Sequence, residues 1–139
     1  PAVSSVDINQ MNRFLKFADY FKGVLINNKI SGFLIAIQPG KKYDSLNYKW
    51  FEKKFESFIY VDRIVIGSEF QGQGIGRALY DDLQSYASKK TNIITCEVNI
   101  KPSNEGSMIF HQKYGFKKVG TQITDYGKKE VCLMAYKMS

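Results

Sequence analysis

The feature that most constrains this chain is a glycine-rich turn between an apolar segment and an amphipathic one. The turn, Gln71–Gly76, carries a glycine at every second position. The apolar run 58–66 before it is typical of a strand, and apolar residues recur after it at helical spacing over 75–89. The first turn of a helix has backbone N–H groups without a partner inside the helix, and its dipole adds about half a positive charge there. Because glycine leaves those N–H groups accessible, the turn predicts a site for an anion such as a phosphate group.

The spacing of the glycines separates this turn from two other phosphate-binding loops. A dinucleotide fingerprint needs a third small residue where this chain has Arg77 or Leu79, and a P-loop needs a Lys-Ser or Lys-Thr pair that does not follow here. The pattern Gln/Arg-x-x-Gly-x-Gly/Ala does fit, with Gln71, Gly74 and Gly76 in its fixed positions. It resembles the acetyl-CoA pyrophosphate loop of the GCN5-related N-acetyltransferase (GNAT) superfamily. The alternative is a plain strand–turn–helix connection.

A second motif downstream resembles the other hallmark of the same superfamily, Asn-x-x-(Ala/Ser)-x-x-(Leu/Phe)-Tyr-x-x-x-Gly-Phe. This chain fills its positions with Asn104, Ser107, Phe110, His111, Gly115 and Phe116. The departure is His111, which stands where relatives have the tyrosine that is usually the general acid. The two motifs occur in the expected order and cover about residues 58–120. The chain is therefore similar to a branch of predicted acetyltransferases whose substrate the motifs do not specify.

The resemblance implies an α/β fold of the α+β kind, with a mixed, mostly antiparallel central sheet flanked by helices. Its two middle strands splay apart, and acyl-CoA enters the gap between them. We expect one domain over residues 1–139. Since only one helix can be placed before Gly23, we expect the chain to be N-terminally incomplete, without the superfamily's first strand, and residues 1–6 to lie outside the sheet. The sheet edge is then open or covered by another chain, as in a homodimer.

Apolar periodicity and turn residues predict the individual elements. Helices are expected over 6–20, 75–89 and 104–114, and strands over 23–26, 30–38, 58–66, 92–100, 117–124 and 130–138. Asn27 and Asn28 suit a hairpin turn between the first two strands. Residues 41–57 are expected to form a long loop.

The composition bounds the class of partner and the compartment. A net charge of +7 indicates an anionic partner, either nucleic acid or the phosphates of coenzyme A. The lysines are scattered in pairs without a nucleic-acid-recognition motif, which disfavours nucleic acid. Cys96 and Cys132 lie in apolar runs and are expected to be reduced core residues, so we expect no metal site and a cytoplasmic protein. No run is long and apolar enough to cross a bilayer.

By resemblance, three sets of residues would hold acetyl-CoA, the co-substrate. Backbone groups of Ile64, Val65 and Ile66 would pair with the pantetheine and hold the acyl carbonyl, where an N–H would stabilise the oxyanion. The pyrophosphate would bind the N–H groups of Gln71, Gly72, Gln73, Gly74, Ile75, Gly76 and Arg77. The contacts beside the cofactor arm would be Asn104, Ser107 and Phe110, which helix capping and core packing explain equally well.

Three side chains are candidates for proton transfer. His111 occupies the tyrosine position, so the resemblance casts it as the general acid that protonates the CoA thiolate; a structural histidine is the alternative. Asp62 and Glu97 lie on the two adjacent central strands and are candidate bases for the amine. Asp62 can instead pair with Arg63, and Glu97 needs a partner or a raised pKa in a run that should be buried.

Aromatic residues concentrate in the expected loop 41–57. Among them Tyr43, Tyr48 and Trp50 are candidate substrate contacts, since loop aromatics often line pockets. The alternative is a local cluster that anchors the loop on the core.

These features predict an acyl-CoA-dependent N-acyltransferase that transfers an acetyl group to an amine. The amine attacks the thioester directly in a ternary complex, and no covalent enzyme intermediate is needed. One alternative is a CoA-binding module in which the altered acid position marks a lost activity, and another is a nucleic-acid-binding domain. The acceptor stays open among small amines, amino acids and protein termini.

Overall fold

The computed structural model describes residues 16–138, which form one six-stranded sheet with helices packed on it. The strands are β1 (Tyr20–Ile26), β2 (Lys29–Ile37), β3 (Ile59–Ile66), β4 (Ile93–Lys101), β5 (Lys117–Thr124) and β6 (Lys129–Lys137). The helices with defined bounds are α1 (Leu46–Lys54), α2 (Ile75–Ala87) and α3 (Glu105–Tyr114). The order is β1-β2-β3-β4-β6-β5, with only β3 and β4 parallel among these neighbours. The predicted fold class is confirmed.

The two middle strands separate soon after they begin. β3 and β4 pair only through Ile59 with Ile94 and Tyr60 with Thr95. On its other side β3 stays paired with β2 as far as Ile66. The predicted gap between the middle strands is therefore present, and it leaves one edge of β3 facing the opening.

A β-bulge in β3 lies at the point where the strands part. Ala36 of β2 opposes Val61, whereas Ile35 opposes Arg63, so Asp62 is the extra residue on β3. Bulges bend a strand and increase its twist, and they recur next to active sites. Asp62 and Arg63 thus come to line the gap.

Two apolar clusters pack on opposite faces of the sheet. The larger joins the sheet to α2 and α3, and the smaller joins it to α1. β6 shows the alternation, since Cys132 and Met134 belong to the larger cluster while Val131 and Leu133 belong to the smaller one. Cys96 and Cys132 are both buried, and neither forms a disulfide.

The prediction of a loop over 41–57 is wrong, because α1 lies inside it. Ser45 caps the helix by accepting a hydrogen bond from the backbone N–H of Tyr48. Tyr48 and Phe51, three residues apart, lie on one face of the helix and are fully buried against the sheet. This burial stabilises a helix of nine residues that is too short to persist alone.

The start of the described chain differs from the prediction in one respect. Residues 16 and 17 are helical, and the rest of the predicted helix up to residue 15 lies outside the described residues. Tyr20, however, opens β1 instead of ending that helix. Its ring is buried and its hydroxyl donates to Asp82 of α2, which fixes this position on the sheet. The expectation for residues 1–6 lies outside the described residues.

The three helices with defined bounds have nine, 13 and 10 residues. Within residues 16–138, none is both long and apolar enough to cross a membrane.

Candidate active site

The start of α2 presents backbone N–H groups without a cap. Gly74 is the N-cap residue in a left-handed conformation with φ 79°, and no side chain caps the helix. The first hydrogen bond of the helix runs from Ala78 N to Gly74 O at 3.0 Å. The N–H groups of residues 75–77 therefore have no acceptor within the helix. Gly72 has φ 77°, a conformation that only glycine adopts at little cost.

A cavity of about 510 Å³, here the first cavity, lies over this helix start. One side of it is the edge of β3 beyond the splay, and the other side is the start of α3. Its lining residues are Ile64, Val65, Ile66, Phe70, Gln71, Gly72, Gly74, Ile75, Gly76, Arg77, Asn104, Gly106, Ser107, Phe110 and His111. Every predicted cofactor contact except Gln73 is among them.

Two lining residues of the first cavity were missed from the sequence. Phe70, in the short turn Ser68–Phe70, carried no signal, and Gly106 occupies a variable position of the second motif. Gln71 contributes in an unexpected way, because its side-chain amide donates to the carbonyl of Ile66 at 3.0 Å. This bond ties the glycine turn back to the end of β3.

Close packing of α2 against α3 shapes the first cavity. A Cβ atom on Gly76 would lie 2.9 Å from the tip of the Phe110 ring, closer than real Cβ atoms approach. Glycine at this position therefore lets α3 approach the first turn of α2. Asn104 caps α3 by accepting from Ser107 N at 3.2 Å.

A second cavity of about 510 Å³ lies where β3 and β4 diverge. The surface of this cavity is mainly polar, and most of its lining residues belong to β3 and β4. They are Val61, Asp62, Arg63, Ile64, Val65, Cys96, Glu97, Val98, Asn99, Asn104, Ser107 and His111. Ile64, Val65, Asn104, Ser107 and His111 line both cavities. The two cavities therefore meet in the gap between the strands.

Glu97 is the carboxyl side chain that β4 contributes to the second cavity. Burial raises the pKa of its carboxyl group to about 7, and a hydrogen bond from Tyr60 partly offsets this. The hydroxyl of Tyr60 donates to Glu97 Oε1 at 2.6 Å. The nearby charge of Asp62 raises the pKa of Glu97 as well. A carboxyl group with this pKa exchanges protons readily near neutral pH.

Asp62 is the ionisable side chain of the bulge in β3. Burial raises the pKa of its carboxyl group, while a hydrogen bond from Tyr43 and the nearby Arg63 act in the opposite direction. Tyr43, which precedes α1, donates its hydroxyl hydrogen to Asp62 Oδ1. Asp62 and Glu97 each follow the last parallel pair by two residues, so they lie at equivalent positions on the diverging strands.

His111 is buried in α3, and protein atoms occupy both of its ring nitrogens. Nδ1 lies 2.7 Å from the carbonyl oxygen of Ser107, which can only accept, so Nδ1 carries the proton. Nε2 then accepts from the hydroxyl of Tyr80 at 2.7 Å. Burial lowers the pKa of His111. The imidazole is therefore neutral near pH 7, with its proton directed at Ser107.

The three predicted aromatic contacts take different places. Tyr48 is fully buried, with its hydroxyl donating to Gln38 O at 2.6 Å. Trp50 packs over Gly120 of β5, where a Cβ would lie 2.5 Å from the indole ring. Neither lines the first or the second cavity, and of the three only Tyr43 reaches one of them, through Asp62. Contact of these residues with a substrate stays a prediction, which the geometry favours most for Tyr43.

A family comparison identifies the chain. The model of the acetyltransferase (GNAT) family matches residues 4–116, which is most of the chain. This chain belongs to the GNAT family. The family resemblance that the two motifs predicted is thus confirmed, and the splayed sheet of this GNAT protein agrees with it.

Solved structures similar to this GNAT protein share its fold. PH1933 from Pyrococcus horikoshii is 27% identical with a TM-score of 0.70, covering 94% of this chain and 73% of that chain. Chaetomium thermophilum Naa20, solved with a bisubstrate analogue, is 14% identical with a TM-score of 0.73, covering 99% and 76%. A streptothricin acetyltransferase homologue from Bacillus anthracis, solved with acetyl coenzyme A, is 16% identical with a TM-score of 0.67, covering 91% and 68%. No curated protein sequence is significantly similar to this chain.

Among the side chains of residues 16–138, no group of three or more His, Cys, Asp or Glu is arranged to hold a metal ion.

Proposed function

We propose that this GNAT protein transfers an acetyl group from acetyl-CoA to an amine. The observation that carries the proposal is the meeting of the two cavities between β3 and β4. One cavity contains an uncapped helix start, and the other contains a carboxyl group with a pKa of about 7. The first suits an anionic coenzyme and the second suits removal of a proton from an amine.

The first cavity fits the coenzyme on two observations. Gly72 and Gly74 both have positive φ, and a Cβ on either would meet no protein atom within 4 Å, so backbone N–H groups are reached without steric hindrance. The uncapped N–H groups of residues 75–77 then hold the pyrophosphate with the help of the helix dipole. Arg77, a largely exposed cation in the same turn, adds charge there.

The free edge of β3 holds the acyl arm. Beyond Tyr60, β3 is not paired with β4, so backbone groups of Ile64, Val65 and Ile66 on that edge are available to the pantetheine amides. An N–H from this edge stabilises the oxyanion, and loss of one such donor costs about 10²–10³ in rate. Asn104 and Ser107 flank the same arm from α3.

Transfer proceeds by direct attack of the amine on the thioester. Glu97 accepts a proton from the amine, the new N–C bond forms, and the C–S bond breaks with its electron pair going to sulfur. The sulfur then takes up one proton, which balances the reaction. Asp62 adds negative charge to the same cavity, so the acceptor arrives as an ammonium ion from the side of the sheet on which α1 packs. It releases its extra proton to solvent before the neutral amine attacks, and the proton that Glu97 accepts is the one that the nitrogen loses on forming the amide.

The hydrogen bonds of His111 disfavour its predicted role as the general acid. A neutral imidazole whose proton faces Ser107 has no proton to give to a thiolate. We therefore propose that His111 fixes the geometry of α3 and that solvent reprotonates the sulfur. The same observation favours the second candidate function, a CoA-binding module without useful catalysis.

A direct assay separates the two candidate functions. Release of CoASH is measured from acetyl-CoA with a panel of small amines, amino acids and peptides, using the unmodified chain and Glu97→Gln. Turnover that falls about 10²–10⁴-fold in Glu97→Gln supports the transferase. Tight acetyl-CoA binding without turnover for every amine supports the binding module.

A further inference from the structure

Ser107 lies in the first turn of α3 and is one of the residues that line both cavities. Its hydroxyl oxygen lies 3.3 Å from Nδ1 of His111. Since Nδ1 carries the ring proton, the oxygen accepts in this contact and does not use its own hydrogen there. The hydroxyl hydrogen of Ser107 is therefore free to point into the space in which the two cavities meet.

The other residues shared by the two cavities leave few side-chain donors for this space. Ile64 and Val65 have apolar side chains, and both ring nitrogens of His111 are occupied by protein atoms. The amide nitrogen of Asn104 is the other donor, while its Oδ1 caps α3 by accepting from Ser107 N. Asn104 is exposed whereas Ser107 is half-buried, so water replaces a hydrogen bond from Ser107 less readily.

We propose that Ser107 is a catalytic residue whose hydroxyl donates a hydrogen bond to the sulfur of coenzyme A as the thioester breaks. The inference rests on the proposed function, in which the coenzyme occupies the first cavity and the amine the second, so the thioester lies where the cavities meet. The edge of β3 bounds this space on one side, and the start of α3 with Ser107 bounds it on the other. Donors on the two sides then serve different atoms of the thioester, the backbone N–H groups its carbonyl oxygen and the Ser107 hydroxyl its sulfur.

The hydrogen bond leaves the proton balance of the reaction unchanged. The C–S bond breaks with its electron pair going to sulfur, and the negative charge that develops there strengthens the hydrogen bond from the hydroxyl. An alcohol is a much weaker acid than a thiol, so Ser107 keeps its proton. Solvent then protonates the sulfur, and Glu97 returns the proton of the amine to solvent.

The test measures the pKa of the thiol of CoASH bound to the protein, which needs no turnover. CoASH with ¹³C at the carbon next to sulfur is titrated by NMR in complex with the unmodified chain, Ser107→Ala and Ser107→Thr. A donor to the thiolate lowers this pKa, so we expect Ser107→Ala to raise it by about 1, whereas Ser107→Thr retains a hydroxyl and stays near the parent value. The charged and titratable side chains that line the two cavities are the same in all these proteins, namely Asp62, Arg63, Arg77, Cys96, Glu97 and His111.

Kinetics provide a second readout of the same contact. The sulfur of the intact thioester carries no charge, so the hydrogen bond strengthens only as the C–S bond breaks. Ser107→Ala should therefore lower kcat about tenfold and leave KM for acetyl-CoA nearly unchanged. The group that accepts from His111 at 2.7 Å is the backbone carbonyl of residue 107, so the variant keeps that bond.

Matched controls come from the two helices beside the first cavity. Ser85→Ala on α2 and Gln112→Ala on α3 change exposed side chains that line neither cavity, and they leave the thiol pKa and kcat unmoved. An unchanged thiol pKa in Ser107→Ala overturns the inference, whatever happens to activity. A larger rise in Asn104→Ser than in Ser107→Ala assigns the sulfur contact to Asn104 and also overturns it.

The same titration separates failure of the inference from failure of the proposed function. A thiol pKa that rises in Ser107→Ala, in a protein that acetylates no amine, supports the contact with sulfur and overturns the transferase. Failure of the unmodified chain to bind CoASH overturns both.

Discussion

The hydroxyl of Tyr80 donates to Nε2 of His111 at 2.7 Å, across the contact between α2 and α3. On the other side of the ring, Nδ1 of His111 donates to the carbonyl of Ser107 at 2.7 Å. A polar chain therefore runs from Tyr80 of α2, which belongs to the larger core, through His111 into the first turn of α3. His111 is thus a neutral link between the helices that enclose the first cavity.

Removal of the Tyr80 hydroxyl tests this link. Tyr80→Phe leaves Nε2 of His111 buried without a donor, which we expect to lower the free energy of unfolding by about 1–3 kcal/mol. Urea denaturation at neutral pH measures the change. Tyr86→Phe, on the same helix, loses only a half-exposed bond from Gln38 at 3.1 Å and serves as the control. Equal losses in the two variants would contradict the assignment.

Glu97→Gln tests the base through pH dependence. The carboxylate is active only when ionised, so kcat/KM of the unmodified chain rises with pH through about 7, and this limb disappears in the variant. Stability changes in the opposite sense. The raised pKa of Glu97 favours the folded state below the unfolded value of 4.5, and this contribution is lost as pH rises through about 7.

At pH 8 we therefore expect Glu97→Gln to be more resistant to urea than the parent while being far less active. Glu56→Gln, at an exposed position, serves as the control. A pH limb near 7 that survives in Glu97→Gln would remove this residue from the mechanism.

Two substitutions around Glu97 shift the same limb in opposite directions. Tyr60→Phe removes a donor to the carboxylate and raises the pKa of Glu97, so the limb moves to higher pH. Asp62→Asn removes a nearby negative charge and lowers that pKa, so the limb moves to lower pH. The asparagine oxygen still accepts from Tyr43, which preserves that contact. Profiles of kcat/KM against pH measure the position of the limb in each variant. A shift of the limb in the same direction in both variants would refute the electrostatic account.

A pair of glycines separates backbone strain from coenzyme binding. Gly74→Ala and Gly127→Ala each put a side chain on a left-handed residue, with φ 79° and 84°, at a cost of about 1–2 kcal/mol. Both should lower Tm to a similar extent. Only Gly74 lines the first cavity, so only its variant should weaken acetyl-CoA binding, by about tenfold or more in calorimetry. Equal affinities in the two variants would place the pyrophosphate elsewhere.

Gly76→Ala tests the contact between the two helices. The new Cβ would lie 2.9 Å from the Phe110 ring, and such overpacking costs about 1–3 kcal/mol. The double variant Gly76→Ala with Phe110→Leu should recover much of that loss. Gly106→Ala adds a Cβ in α3 with no atom within 4 Å, and should instead stabilise the helix by up to about 1 kcal/mol. Thermal unfolding of the three variants measures these changes, and a neutral Gly76→Ala would show that the helices adjust.

The predictable part of the site is the part that the backbone encodes locally. Glycine at 72 and 74 is needed for positive φ, so the glycine spacing indicated the backbone shape of this turn directly. Asn104 caps α3 as its position in the motif implies. The splay of the strands followed from the family resemblance and not from apolar periodicity. The apolar pattern of a strand is the same whether or not a neighbouring strand pairs with its edge.

The missed parts depend on contacts between distant segments. The sequence predicts a loop where α1 lies, because only Tyr48 and Phe51 mark the buried face of the helix. Ser45 before it and Lys53 near its end are nevertheless ordinary helix-end signals. The role of His111 could not be read locally either, since its Nε2 is occupied by the hydroxyl of Tyr80, 31 residues away in the chain. Local spacing reports backbone shape, whereas proton positions depend on tertiary neighbours.

The short ladder between β3 and β4 joins the two halves of the sheet by few backbone hydrogen bonds. The sheet consists of two halves of three strands each, β1-β2-β3 and β4-β6-β5. The halves are paired only at one end, through two residue pairs between β3 and β4. A ligand whose amides lie along the free edge of β3 takes the position of a seventh strand. Its hydrogen bonds to β3 then extend the contact between the two halves of the sheet. Under the proposed function, binding of the coenzyme therefore also strengthens the contact between the two halves of the sheet, and release of the product weakens it.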